Sequence, residues 1–113
     1  MKELKAYIRA DKMEDVVRGL RARGARAITV VRVVPMGSEI EPEFVDISSA
    51  APTAHYTPML KLELVCDDRS ADAFAETIRE RAQTGHPGDG VIFISDVQRA
   101  LHIRTGRSNE AAL

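Results

Sequence analysis

Tryptophan is absent and aromatic residues make up only 4% of the chain, so any core must be built from aliphatic side chains. A small core with little aromatic area commonly gains stability by oligomerising. Cysteine is nearly absent: Cys66 is alone and cannot form a disulfide within the chain. That excludes a disulfide framework and fits a reducing compartment. No apolar run approaches the roughly 18 residues that a membrane helix needs. The opening Met1-Lys2-Glu3-Leu4-Lys5 lacks the apolar stretch of a signal peptide, so the cytoplasm is the expected location. There is no excess of either charge. The formal net charge is -1, which gives no general case for binding nucleic acid or an anionic membrane surface. What remains is 113 residues, 44% hydrophobic and 29% charged, enough for one domain with one core and a charged surface.

Periodicity organises most of that length. Leu4, Ala6 and Ile8 alternate with Lys5, Tyr7 and Arg9, as in a strand with one buried face. Asp11 and Glu14 have capping-box spacing. Met13, Val16, Val17 and Leu20 then recur at helical spacing, and Gly24 offers a stop. The β-branched run Ile28 to Val34 predicts a second strand, ended by Pro35. A third is predicted from Met59 to Cys66, with Leu60, Leu62 and Leu64 on one face. Ser70 is placed to cap a second helix that buries Ala71, Phe74, Ala75, Ile78 and Ala82. Val91 to Ile94 is the fourth strand, and Val97, Leu101 and Ile103 lead into a short extended piece. The order strand, helix, strand, long loop, strand, helix, strand is that of an α+β ferredoxin-like βαββαβ sandwich. Its second sheet face would carry Thr29, Val31, Val33, Met59 and Val65, apolar enough to call for a partner. Self-association is the economical answer.

Two irregular stretches stand out. Thr84-Gly85-His86-Pro87-Gly88-Asp89-Gly90 precedes an apolar strand, and its glycines permit positive φ and close approach of a ligand to open backbone N–H groups. The stretch between Pro35 and Pro58 exceeds the length usual for a connection in a compact domain. It carries Glu39, Glu41, Glu43 and Asp46 with no Lys or Arg between Arg32 and Lys61. With Phe44 these acids form the expected partner-binding arm, the alternative being a solvated insertion. No pair among His55, Cys66, His86 and His102 has metal-ligand spacing, so no metal site is expected. His102 with Asp89 or Asp96 could be drawn as an acid–base pair, but no nucleophile motif accompanies them, and no catalytic residues are assigned. Cys66 reads as a small buried hydrophobe.

Thr84, Gly88-Asp89-Gly90 and Ile92-Phe93-Ile94 resemble the C-terminal signature of the PII signal-transduction family. Lys12-Met13-Glu14-Asp15-Val16, Ala82-Gln83-Thr84-Gly85, Asp96-Val97 and Ile103-Arg104-Thr105-Gly106 extend the likeness over residues 1–106. The resemblance implies a domain over 1–106, with a long T-loop at about 36–57 and a flexible tail over 107–113. It implies a homotrimer with adenine nucleotides in clefts between subunits. It further implies no catalytic turnover, no required cofactor, and docking of the T-loop onto a transporter, enzyme or regulator. Nucleic acid is not a partner, and contact with a membrane is only indirect, through the partner.

Carried over by position, the nucleotide site comprises Thr29, Gly37, Ser38, Glu63, Val65, Gly88, Asp89, Gly90, His102 and Arg104. The chain departs from the family at several of these positions. Val91 stands where a basic residue is expected, Ser38 in place of an arginine, and Glu39 in place of a glutamine that helps hold magnesium. Met59 replaces a lysine, and His102 the first arginine of an Arg-x-Arg pair. Ser48-Ser49-Ala50-Ala51 replaces the segment whose tyrosine is modified in some members, so uridylylation is not expected. Each lost charged hydrogen bond is worth about 1.5–3 kcal/mol, and several losses weaken ATP by decades. The ligand implied is AMP, ADP or another adenine nucleotide. The alternative, from the resemblance alone, is a transporter-associated sensor of bicarbonate or a metal ion.

Overall fold

A computed structural model of the chain describes residues 1–36, 45–46, 51–52 and 58–113. The main sheet contains β1 (Lys2–Arg9), β2 (Thr29–Arg32), β5 (Met59–Cys66) and β6 (Gly90–Asp96) in the order β2-β5-β1-β6. Every neighbouring pair is antiparallel. A short pair, β3 (Val45–Asp46) and β4 (Ala51–Pro52), stands apart as a second sheet. Helices α1 (Met13–Ala22) and α2 (Asp68–Ala82) join β1 to β2 and β5 to β6. Because β5 lies between β1 and β2, the first crossover is a split βαβ unit, and the ferredoxin-like βαββαβ sandwich expected from the sequence is what forms. Among the described residues no helix is long and apolar enough to cross a membrane.

The alternation in β1 and β5 determines which face meets the helices. Leu4, Ala6 and Ile8 pair across the strands with Leu64, Leu62 and Leu60 on the helix side. Both helices bring their apolar stripes to that layer: Met13, Val16 and Leu20 from α1, and Ala71, Phe74, Ile78 and Ala82 from α2. Leu4, Ile8, Leu20, Leu62, Ile78 and Val16 are fully buried. Each such side chain contributes about 1.5–3 kcal/mol relative to exposure. Gly19 leaves room for the Arg81 side chain, since a Cβ there would lie 2.4 Å from Arg81 Nε. Arg81 reaches Asp15 across the helix pair at 2.9 Å. Cys66 is buried as expected, and burial pushes its thiol pKa up.

Several local expectations are corrected. Asp11 forms no capping box: Ala10–Lys12 is a 3-10 turn, and α1 starts after Lys12 without a side-chain cap. Asp67, not Ser70, caps α2, its carboxylate accepting the Ser70 N–H at 2.9 Å. An aspartate held by the helix N-terminus in this way is a strong cap. The second strand is shorter than Ile28 to Val34, because pairing with β5 runs only from Thr29↔Glu63 to Arg32↔Leu60. The sheet face away from the helices is less apolar than expected. Tyr7 and Phe93 meet edge to face at 6.2 Å, but Lys61–Glu63 and Lys5–Glu3 ion pairs lie beside them at 2.9 Å and 3.5 Å.

Candidate functional site

The expected ligand residues fall at two places. The first is the glycine loop, at the end of the sheet where β6 starts. Gly90 opposes Ile8, and its φ of +107 places the backbone against β1. A Cβ there would lie 1.7 Å from the Tyr7 carbonyl oxygen, so only glycine fits. The loop closes on Asp89. Its carboxylate accepts the Thr84 N–H at 2.7 Å, the Gly85 N–H at 3.0 Å and the Thr84 hydroxyl. Arg9 donates from Nε to the same carboxylate at 2.9 Å and from Nη2 to the Pro87 carbonyl at 2.9 Å. His86 N–H goes to the Thr84 hydroxyl oxygen at 3.2 Å. The Thr84 hydroxyl and N–H, with Arg9 and Gly85, hold the Asp89 carboxyl far below the usual carboxylate range.

This corrects the expectation of a loop with open donors. The N–H groups of Thr84, Gly85 and His86 are satisfied inside the loop, and the loop carries its own anion. Whatever it presents to a ligand comes from the Gly88-Asp89-Gly90 segment. Val91 follows on the face away from the helices, opposite Tyr7, and is 46% exposed.

The second place is the start of β2, at the other edge and toward the other end of the sheet. Thr29 and Glu63 are cross-strand partners there, the last pair on that side of β5. Beyond it, among the described residues, the edge of β5 from Leu64 to Cys66 has no strand beside it, so its outward backbone groups are open to a ligand. A cavity of about 510 Å³ occupies this gap, and Thr29, Glu63 and Val65 all line it. That volume is in the range of small-molecule sites. Lys61 pairs with Glu63 at 2.9 Å and lowers its pKa, so Glu63 is an ionised acceptor at neutral pH. Three of the expected site residues are thus brought together with a backbone edge and the apolar side chain of Phe74.

The C-terminal segment lies at this same end. Leu101 bridges Ser108, and the His102 N–H donates to the Arg107 carbonyl at 2.8 Å, making a small hairpin with Gly106 at φ +72 in its turn. Ile103 and Leu101 project from it, exposed by 101% and 59%. His102 Nδ1 accepts the Thr105 N–H at 3.2 Å, a geometry that requires an unprotonated Nδ1. Arg104 is exposed and unpaired among the described residues. The tail from 107 onward includes a one-turn 3-10 helix, Asn109–Ala112, and Glu110, Ala112 and Leu113 line the cavity.

The two places do not meet within one chain. β6 spans Gly90–Asp96, about 20 Å of extended chain between the glycine loop and the segment bearing His102 and Arg104. β2 and β6 are the two edge strands, roughly 14 Å apart across the sheet. Gly37, Ser38, Glu39, Glu41, Glu43 and Phe44 lie outside the described residues, and Asp46 is described only as the backbone partner of Ala51. Two residues of these sites are not evident from the sequence. Arg9 looks like an ordinary outward residue of an alternating strand, and its partner is distant in sequence. Arg26 lies in an irregular segment, and no motif marks it as cavity lining. Among the described residues no group of three His, Cys, Asp or Glu side chains is placed to hold a metal ion.

Comparison with known proteins shows the family. The family described as nitrogen regulatory protein P-II matches residues 1–107. Nitrogen regulatory protein P-II 2 of Methanothermobacter thermautotrophicus is 38% identical over 117 residues, covering 100% of this chain and 97% of that protein. Nitrogen regulatory protein P-II of Pasteurella multocida is 37% identical, and nitrogen regulatory protein P-II 1 of Escherichia coli (strain K12) is 35% identical, each over the full length of both chains.

Proposed function

The chain belongs to the nitrogen regulatory protein P-II family, and from that premise we propose a non-catalytic cytoplasmic regulator that takes an adenine nucleotide between the subunits of a homotrimer. The observation that carries this reading is the separation of the two half-sites. The glycine loop and the start of the long loop leave one end of the sheet, while Thr29, Glu63, Val65 and the segment with Arg104 belong to the other. A second copy that brings its loop end to the cavity end of the first completes the set. The exposed Phe93, Val91 and Ile103 supply apolar area for such contacts.

In this reading the purine lies along the open edge of β5, with Thr29 and Glu63 reading its polar rim and Phe74 giving apolar contact. The phosphates extend toward the neighbour's Gly88-Asp89-Gly90. Arg9 is already spent on the Asp89 carboxylate in that loop, and Val91 provides no further cation for the outer phosphates. Close approach of a triphosphate is therefore disfavoured relative to AMP or ADP. Ligand occupancy at the base of the long loop alters how its acidic stretch, Glu39, Glu41, Glu43, Phe44 and Asp46, engages a transporter, enzyme or regulator.

Titration calorimetry of the full chain with AMP, ADP, cyclic AMP, ATP and bicarbonate, with sedimentation to give the mass, tests the reading. The expected result is a trimer that binds AMP or ADP more tightly than ATP and leaves the nucleotide unchanged after hours. A monomer, or no heat from any adenylate over a wide concentration range, rejects it. Binding of bicarbonate alone transfers support to the bicarbonate-sensor reading.

A further inference from the structure

Arg9 ends β1, and its backbone is fixed. It pairs with Met59 of β5, and the next residue, Ala10, donates its N–H to the Pro58 carbonyl at 2.9 Å. From this root the side chain crosses to the glycine loop, where it is 15% exposed. Its Nε donates to the Asp89 carboxylate at 2.9 Å and its Nη2 to the Pro87 carbonyl at 2.9 Å. Among the described residues, every side-chain hydrogen bond that reaches the loop from outside it comes from Arg9. The bonds within the loop gather Thr84, Gly85 and His86 at its start. Those from Arg9 reach Pro87 and Asp89, on either side of Gly88. Gly88 has φ +94, and a glycine backbone resists other conformations least.

We propose that Arg9 is a positioning residue for the nucleotide: through Asp89 and Pro87 it fixes Gly88-Asp89-Gly90 in the shape that receives the outer phosphate. The proposal rests on the nucleotide reading above and deepens it by naming the residue that prepares the phosphate end. A planar guanidinium held at two acceptors cannot turn freely, whereas a lysine ammonium in its place has one point of charge on a flexible stem. With the grip in place the segment is ordered before ADP arrives. Without it the segment must be ordered on binding, and affinity falls. The Arg9–Asp89 pair carries no net charge, so its contribution is shape rather than attraction. The adenosine part of the ligand meets Thr29, the β5 edge and Phe74 of the other subunit, and none of those contacts involves Arg9.

The test compares ADP with adenosine by calorimetry on the full-length parent, Arg9→Gln, Asp89→Asn, the double variant and Arg9→Lys. In the parent ADP binds more tightly than adenosine. Arg9→Gln and Asp89→Asn each lower ADP affinity by about tenfold, the cost of ordering one backbone residue on binding, and leave adenosine affinity unchanged. The double variant is no weaker than the weaker single one, because both changes break the same contact. Arg9→Lys recovers part of the loss; should Arg9→Gln not fold, Arg9→Lys alone and with Asp89→Asn carries the same prediction at smaller size. If Asp89→Asn raises ADP affinity while Arg9→Gln lowers it, or if the two losses add, Arg9 acts by its charge and the proposal is overturned. Equal weakening of both ligands, or of neither, also overturns it while nucleotide binding itself stands. If the parent binds neither ligand, the nucleotide reading fails and this proposal fails with it.

Discussion

At one end of the sheet the loop Thr84 to Gly90 satisfies the N–H groups of its first three residues internally. At the other, the start of β2 leaves a strand edge and an arginine, Arg26, without partners among the described residues. The loop is held by Asp89, Thr84 and Arg9, with side-chain exposures of 15% for Arg9 and 25% for Asp89. The cavity is open because β2 begins only at Thr29, two residues short of covering Val65. A loop closed on itself has a shape before a ligand arrives and costs little to order on binding. An uncovered edge keeps its hydrogen-bonding capacity for whatever enters. On the proposed reading the first region sets geometry, and the second supplies recognition.

That division can be broken most severely at Gly90. Gly90→Ala puts a methyl group into the Tyr7 carbonyl at a φ that L-residues avoid, so we expect a stability loss of roughly 3 kcal/mol or more. Urea unfolding measures it, and a midpoint equal to that of the parent would mean that β6 does not press on β1 as described. Asp89→Asn comes next. It keeps the shape of the side chain and removes the charge that Thr84, Gly85 and Arg9 converge on. The urea midpoint at pH 7 should fall, while adenosine affinity at the cavity should be retained.

The same carboxylate predicts an acid dependence. The pKa of Asp89 is lower in the folded chain than its ordinary value near 4. Its contribution to stability is therefore complete above about pH 4 and is lost as the pH falls below that toward the folded value. The parent should lose stability more steeply than Asp89→Asn below pH 4, and parallel curves for the two would remove Asp89 from the account. The smallest expected effect is a gain. Val91→Lys places a cation beside the loop on an exposed position, and ATP affinity should rise by about tenfold, the effect of one charged contact. AMP should change less, because its single phosphate lies nearer the cavity. An equal gain for both ligands would show that the phosphates do not extend toward the loop.

Much of the fold was legible because its signals are periodic. The alternation of Leu4, Ala6 and Ile8 and of Leu60, Leu62 and Leu64 specified which face would be buried, and the structure pairs those residues directly. The helical stripes of Met13, Val16 and Leu20 and of Phe74 and Ile78 were read for the same reason. The errors lie at ends and in closures. Asp11 and Ser70 have the composition of caps, but a cap depends on where the preceding chain enters the helix, and that entry is set by packing. The second strand looked longer because β-branched residues favour extended chain even where no neighbour pairs with them. The glycine loop was located correctly, yet its polar economy was misread. By position Asp89 belongs to the nucleotide site, and only the passage of β1 beside the loop reveals that Arg9 grips it. Arg26 carries no pattern of its own; only the cavity it lines sets it apart.

The placement of Tyr7 and Arg9 on one strand has a further consequence. Tyr7 presents its ring to the open sheet face beside Phe93, while its carbonyl bears on Gly90 and Arg9 grips the glycine loop. A subunit packed against that face would touch, through a single rigid strand, the segment that also shapes the glycine loop. Assembly and ligand occupancy would then share one free-energy cycle. Whatever a bound nucleotide adds to the grip between subunits, the grip between subunits must return to the nucleotide. Dilution would accordingly act as a hidden effector, lowering apparent affinity with no change in any residue that touches the ligand.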